Sequence, residues 1–92
     1  MTKIKVKSII WDAYNTKHIK KHNILIIEAE EAGKKLIYHK RTYKNRFLVI
    51  GKSKNRLITL ILDRESVGAY YLVTARDSNR KERKKANEIK NL

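Results

Sequence analysis

The stretch Arg46-Phe47-Leu48-Val49-Ile50-Gly51-Lys52-Ser53-Lys54-Asn55-Arg56-Leu57-Ile58-Thr59-Leu60-Ile61-Leu62 decides the fold. Two β-rich runs, Arg46 to Ile50 and Leu57 to Leu62, flank Gly51-Lys52-Ser53-Lys54-Asn55, whose glycine, serine and asparagine are hairpin-turn residues. In the second run Leu57, Thr59 and Ile61 fall on one side of an extended chain and Ile58, Leu60 and Leu62 on the other. A strand that is apolar on both sides belongs at the centre of a sheet.

Working outward, Leu36 to Lys40 and Ala69 to Ala75 are further β-rich runs. Their connections, Lys44-Asn45 and Asp63-Arg64-Glu65-Ser66-Val67-Gly68, favour hairpins and hence an antiparallel meander. Tyr70 and Tyr71 take opposite faces of the last run, so one enters the core and the other is free to stack on a base.

Ahead of the meander, Ile4, Val6, Ser8 and Ile10 alternate with Lys3, Lys5, Lys7 and Ile9, predicting a strand over Ile4 to Trp11 with one wet face. Asp12 can cap a helix that runs to about His22, and Asn23 suits a left-handed stop. A second helix is expected from Leu25 to Lys35, carrying Glu28, Glu30 and Glu31, but Leu25-Ile26-Ile27 offers it no capping side chain. Asn79 and Glu82 have capping-box spacing and open a third, very basic helix with Ala86, Ile89 and Leu92 as a narrow apolar stripe. The expected fold class is α+β: two N-terminal helices packed on an antiparallel β-meander, then a basic C-terminal helix. With no proline, three glycines, and neither a linker nor a repeat, residues 1–92 read as one domain.

Twenty-three Lys and Arg against nine Asp and Glu give a net charge of +14, more than solubility needs, and point to a polyanionic partner. From Lys34 to Arg56 there are nine basic residues and no acidic one, interleaved with Tyr38, Tyr43 and Phe47. That mixture suits a groove that follows a nucleic-acid backbone. The absence of cysteine excludes a disulfide scaffold, thiol catalysis and Cys-based zinc sites, and is compatible with a reducing compartment. Met1-Thr2-Lys3-Ile4-Lys5-Val6-Lys7 lacks the apolar run of a signal peptide, so the expected location is cytoplasmic. No apolar run approaches the ~20 residues of a membrane span, and no membrane partner is expected. A helix-turn-helix signature is missing too, which favours RNA over DNA as the ligand.

Two patches resemble the BrnT family of toxins from type II toxin–antitoxin modules. One is Trp11-Asp12 with Asn15, His18-Ile19, Lys21-His22, Glu28 and Glu30-Glu31-Ala32; the other is Phe47 to Gly51 and Arg56-Leu57, leading to Thr74-Ala75-Arg76-Asp77 and Arg80-Lys81-Glu82-Arg83. The resemblance implies a fold akin to RelE toxins and endoribonuclease activity that arrests translation. It also implies a cognate antitoxin, through which alone operator DNA is contacted. Three positions depart from the family: Asn23 replaces a glycine, Leu25-Ile26-Ile27 replaces a capped start to the second helix, and Ala86 replaces a tyrosine.

Cleaving RNA without a metal drives the ribose 2′-OH onto the adjacent phosphate, which needs a base, an acid and positive charge on the developing oxyanions. Arg76 and Arg83 are the leading phosphate ligands, because a guanidinium makes paired bonds and keeps its proton. Glu82 could act as base, although its capping position gives it a structural duty. His22 has the intrinsic pKa for acid–base work. Candidate nucleic-acid contacts are Arg46, Arg56, Lys44, Lys52, Tyr71 and Arg80. His18 and His22 share a helix face at i, i+4 but have no carboxylate companion, so no metal and no other cofactor is expected. The function expected is a metal-independent endoribonuclease toxin paired with an acidic antitoxin. The alternative is a non-catalytic, basic RNA-binding module with a toxin-like fold, and a third reading makes the chain the basic half of a neutralised assembly.

Overall fold

The computed structural model describes residues 4–90 of the chain. In order they form β1 (Ser8–Ile10), α1 (Ala13–Lys21), α2 (Ile26–Lys34), β2 (Leu36–Arg41), β3 (Arg46–Ser53), β4 (Arg56–Ser66), β5 (Ala69–Asp77) and α3 (Arg80–Lys90). The strands make one five-stranded sheet in the order β1-β5-β4-β3-β2, with β4 at its centre. The fold is α+β. Met1, Thr2 and Lys3 at the start of the chain and Leu92 of the expected apolar stripe lie outside the described residues.

Strands β2 to β5 form the antiparallel meander, but the sheet as a whole is mixed, because β1 pairs with β5 in parallel. A meander leaves its first and last strands with open edges, and β1 covers part of the edge of β5. The two helices therefore lie between β1 and β2 rather than ahead of the sheet, and together with β2, β3 and β4 they make up the long connection between the parallel strands β1 and β5. Of the strand expected over Ile4 to Trp11, only Ser8–Ile10 pairs. Just before it, the N–H groups of Lys7 and Ser8 donate to the Gly68 carbonyl at 2.9 and 3.0 Å. The six-residue connection expected at Asp63 to Gly68 is mostly strand, since β4 continues, bulged, to Ser66 and only Val67-Gly68 turns. Gly68 has φ +80, which a side chain would strain. Lys44 and Lys54 adopt φ 53 and 56 at the other two hairpin tips.

Helix α1 starts as the sequence predicts. Asp12 accepts from the Asn15 N–H at 2.8 Å, and Asn15 returns the bond by accepting from the Asp12 N–H at 2.9 Å. Asn23 takes φ 59 after the last turn. The capping partner missing from Leu25 is Glu28, whose carboxylate reaches back to accept from the Leu25 N–H at 2.9 Å. That reciprocal half of a capping box suffices to begin α2. Leu25 and Ile27 themselves are 63% and 68% exposed, so the apolar start of α2 is surface rather than core.

The two faces of the sheet follow from parity along β4. Arg56, Ile58, Leu60 and Leu62 point towards α1 and α2, since Arg56 meets both Glu28 and the Asn23 carbonyl. Ile58, Leu60 and Leu62 are fully buried there with Val49, Leu72, Ala75 and Tyr70, each large side chain contributing roughly 1.5–3 kcal/mol. Gly51 permits this packing: a Cβ there would sit 1.8 Å from the Ala32 carbonyl oxygen of α2. Thr59 points the opposite way, where α3 covers part of the second face through Glu82.

Candidate nucleic-acid interface

The second face is built from cross-strand rows. Register places Tyr38, Ile50, Thr59 and Arg76 side by side across β2, β3, β4 and β5. Helix α3 lies over this row, with the Lys85 Nζ 5.5 Å from the Tyr38 ring centroid, and with Glu82 on Thr59 and Arg76. Ala86, where the resembled family carries a tyrosine, is fully buried. Ile50 and Thr59 are buried beneath the helix. The neighbouring row, Lys40, Leu48, Ile61 and Thr74, is left partly or fully open to solvent.

Glu82 is the hub. Its carboxylate holds both terminal nitrogens of Arg76, at 2.7 and 2.9 Å, and accepts from the Asn79 N–H at 2.8 Å and the Thr59 hydroxyl at 2.9 Å. Asn79 returns the cap by accepting from the Glu82 N–H. Thr59 also meets the buried Ser78 hydroxyl at 2.8 Å. Burial pushes the Glu82 carboxyl up, but the Arg76 guanidinium, the Asn79 N–H and the Thr59 hydroxyl outweigh it and hold the group at about 2. Glu82 is therefore an ionised anchor and a weak proton acceptor at neutral pH. Arg76 is raised in turn by its bond to Glu82, and its side chain remains 36% exposed. A fixed guanidinium with one side open to solvent is a preorganised phosphate ligand. Arg83 donates to the Ser78 carbonyl at 2.5 Å, and Arg80 is exposed on the first turn of α3.

A second network fastens the same end of the sheet. Arg56 pairs with Asp77 at 2.6 and 3.2 Å, with Glu28 at 3.0 Å, and with the Asn23 carbonyl at 3.1 Å. Asp77 is lowered chiefly by its bond to Arg56, and further by the charges of Arg56 and Arg83. Arg56, read from sequence as a nucleic-acid contact, is committed to ties between β4, β5 and the turn before α2.

The remaining candidates divide between two ends of the molecule. Lys52 pairs with Leu57, whose carbonyl accepts from the Ser78 N–H, so it lies near the Arg76 and Arg83 end. His22 caps α1 immediately before Asn23, at that end too, with its ring edge-on to His18 at 5.2 Å. Arg46 lies on β3 four positions from Ile50, opposite Asp63 at 3.8 Å, roughly 13 Å from the Thr59 row at 3.3 Å per residue. Lys44 occupies the adjoining hairpin tip over the Tyr43 ring. Tyr71 shares the Asp63 row, and its hydroxyl donates to Asp12 at 3.0 Å. The fold thus gathers Arg76, Arg83, Glu82 and Arg80 but leaves Arg46, Lys44 and Tyr71 at the opposite end.

Sequence reading passed over Thr59 and Ser78, which orient Glu82, and Asp77 as the partner of Arg56. The one polar residue within Leu57 to Leu62 was the available signal for Thr59. Among the described residues no group of three or more His, Cys, Asp or Glu is arranged to hold a metal ion, and no helix is long and apolar enough to cross a membrane.

Comparison with protein-family models, curated proteins and solved structures yields no match.

Proposed function

We propose that this chain is an RNA-cleaving toxin of the BrnT kind with a RelE-like arrangement, acting on RNA through the sheet face that carries Arg76. The observation that carries the reading is the Arg76–Glu82 pair. A guanidinium locked bidentately and still partly exposed, with Arg80 and Arg83 on the same helix as its Glu82 partner, lies on the sheet face under α3 in a chain of charge +14. Arg76 and Arg83 would neutralise the phosphate as the 2′-oxygen attacks phosphorus and the 5′-oxygen departs, leaving a 2′,3′-cyclic phosphate and a 5′-hydroxyl. Glu82 positions Arg76. His22 is the candidate for proton transfer, because an imidazole can both take and give a proton and because it stands at this end of the molecule. An acidic antitoxin is the expected partner and would quench the excess positive charge.

The test is incubation of the purified protein with a defined single-stranded RNA in EDTA, beside Arg76→Ala, with the fragment ends mapped. Cleavage by the wild type, at least a hundredfold slower in the variant, is the expected result. Equal cleavage by both removes Arg76 from the mechanism. Tight but non-cleaving binding that weakens steeply with salt would instead favour the RNA-binding module, a reading that the low proton affinity of Glu82 supports.

A further inference from the structure

The outer flank of α1 carries a set of rings of which the cleavage chemistry uses His22 alone. Tyr14 and His18 are parallel, their planes 8° apart and their centroids 6.4 Å apart, and His18 meets His22 edge-on at 5.2 Å. One helical turn separates each ring from the next. Tyr14 is 74% exposed and His22 is exposed, so these rings do not form part of the core.

The row does not end at Tyr14. The Tyr71 hydroxyl donates to Asp12 at 3.0 Å, and Asp12 caps α1 two residues before Tyr14, which brings the Tyr71 phenol to the start of the row. At its other end the row comes to the end of the sheet around which the arginine corner lies, on the opposite face. His22 precedes Asn23, whose carbonyl accepts from Arg56, and Arg56 is joined to Asp77, the residue after Arg76. Helix α1 is tied to β5 by the Asn15 amide, which donates to the Leu72 carbonyl at 3.0 Å. From Tyr14 to His22 the helix rises roughly 12 Å at 1.5 Å per residue.

Charge along this flank is of one sign. Ala13–Lys21 contains Lys17, Lys20 and Lys21 and no acidic residue. The adjoining carboxylate of Asp12 is already occupied by the Asn15 N–H and the Tyr71 hydroxyl. Flat, exposed rings interleaved with lysines bind unpaired bases by stacking while the cations follow the backbone, with little regard to sequence.

We infer that Tyr71, Tyr14, His18 and His22 form a base-stacking track for single-stranded RNA, leading along α1 to the corner that holds Arg76 and Arg83. The track rests on the RNA reading above and extends it to a second contact surface. It accepts unpaired strands only, because a base must present a free face to each ring.

The experiment measures binding of a fluorescein-labelled oligouridylate, and of an RNA duplex of equal length, to the full chain in EDTA by anisotropy. Wild type, Tyr14→Ala/His18→Ala and Tyr14→Phe are compared, with thermal melts confirming that each is folded. The double variant should bind the single strand tenfold or more weakly and the duplex with unchanged affinity, while Tyr14→Phe, which keeps its ring, should match wild type. Equal affinity of the double variant and wild type for the single strand, or equal losses on strand and duplex, overturns the track and leaves the reading of the Arg76 face standing. Failure of the wild type to bind either RNA overturns both.

Discussion

Replacing Glu82 by glutamine separates the structural work of the hub from any chemistry. The carboxylate is only 12% exposed and receives four hydrogen bonds, from Arg76 twice, Asn79 and Thr59. Its displacement from the ordinary 4.5 to about 2 corresponds to about 3 kcal/mol of native-state stabilisation at neutral pH. A carboxyl whose folded-state pKa is depressed stabilises the protein fully above its unfolded value. That stabilisation is lost as pH falls from about 5 towards 2, more than half of it by pH 3. Glu82→Gln keeps the shape and one acceptor but loses the charge. It should lower stability at pH 7 by about 2–3 kcal/mol, or roughly 10–20 °C in Tm for a domain of this size. Urea denaturation of both proteins at pH 7 and pH 3 measures the difference directly. A gap below about 0.5 kcal/mol at pH 7, or one as wide at pH 3 as at pH 7, would refute the reasoning.

Two further substitutions test the architecture. Gly51→Ala puts a methyl group onto the Ala32 carbonyl oxygen, a backbone atom that moves only with α2, so the cost should reach about 3 kcal/mol or more and show as a lower urea midpoint with loss of helix signal. Asn15→Ala removes a fully buried amide that bridges the Ile10 and Leu72 carbonyls and caps the Asp12 N–H; a loss of about 2–4 kcal/mol is expected in the same assay, and a loss under about 1 kcal/mol would mean that water replaces it.

What the sequence disclosed and what it hid follow from the range of the forces involved. Caps and hairpins depend on neighbours a few positions away, so Asp12 with Asn15, Asn79 with Glu82, and the doubly apolar Leu57 to Leu62 were all legible. The start of α2 was legible in principle, since Glu28 stands three residues after Leu25, but a leucine in the cap position masked the signal. Parallel pairing of β1 with β5 was not legible, because alternation along a strand says nothing about which partner it will meet. The site divides in the same way. The candidacy of Arg76 and Arg83 as phosphate ligands rests on their chemistry alone, whereas the capping duty of Glu82 was legible from its spacing. The commitment of Arg56 to Asp77, Glu28 and Asn23 joins three distant segments, and no local pattern announces it.

The pairing of Ser8 with Ala69 also sets the order in which the molecule can be completed. The meander from β2 to β4 assembles from hairpins between neighbours, which close quickly. The first strand must wait, because its partner β5 is the last of the five strands of the sheet to be made. Until β5 arrives, Asn15 has no Leu72 carbonyl, Arg56 has no Asp77 and Glu82 has no Arg76. The rings of α1 and the arginine corner therefore come into register only once β5 has been made, so a nascent or truncated chain that stops before β5 would carry most of the net positive charge without its assembled site.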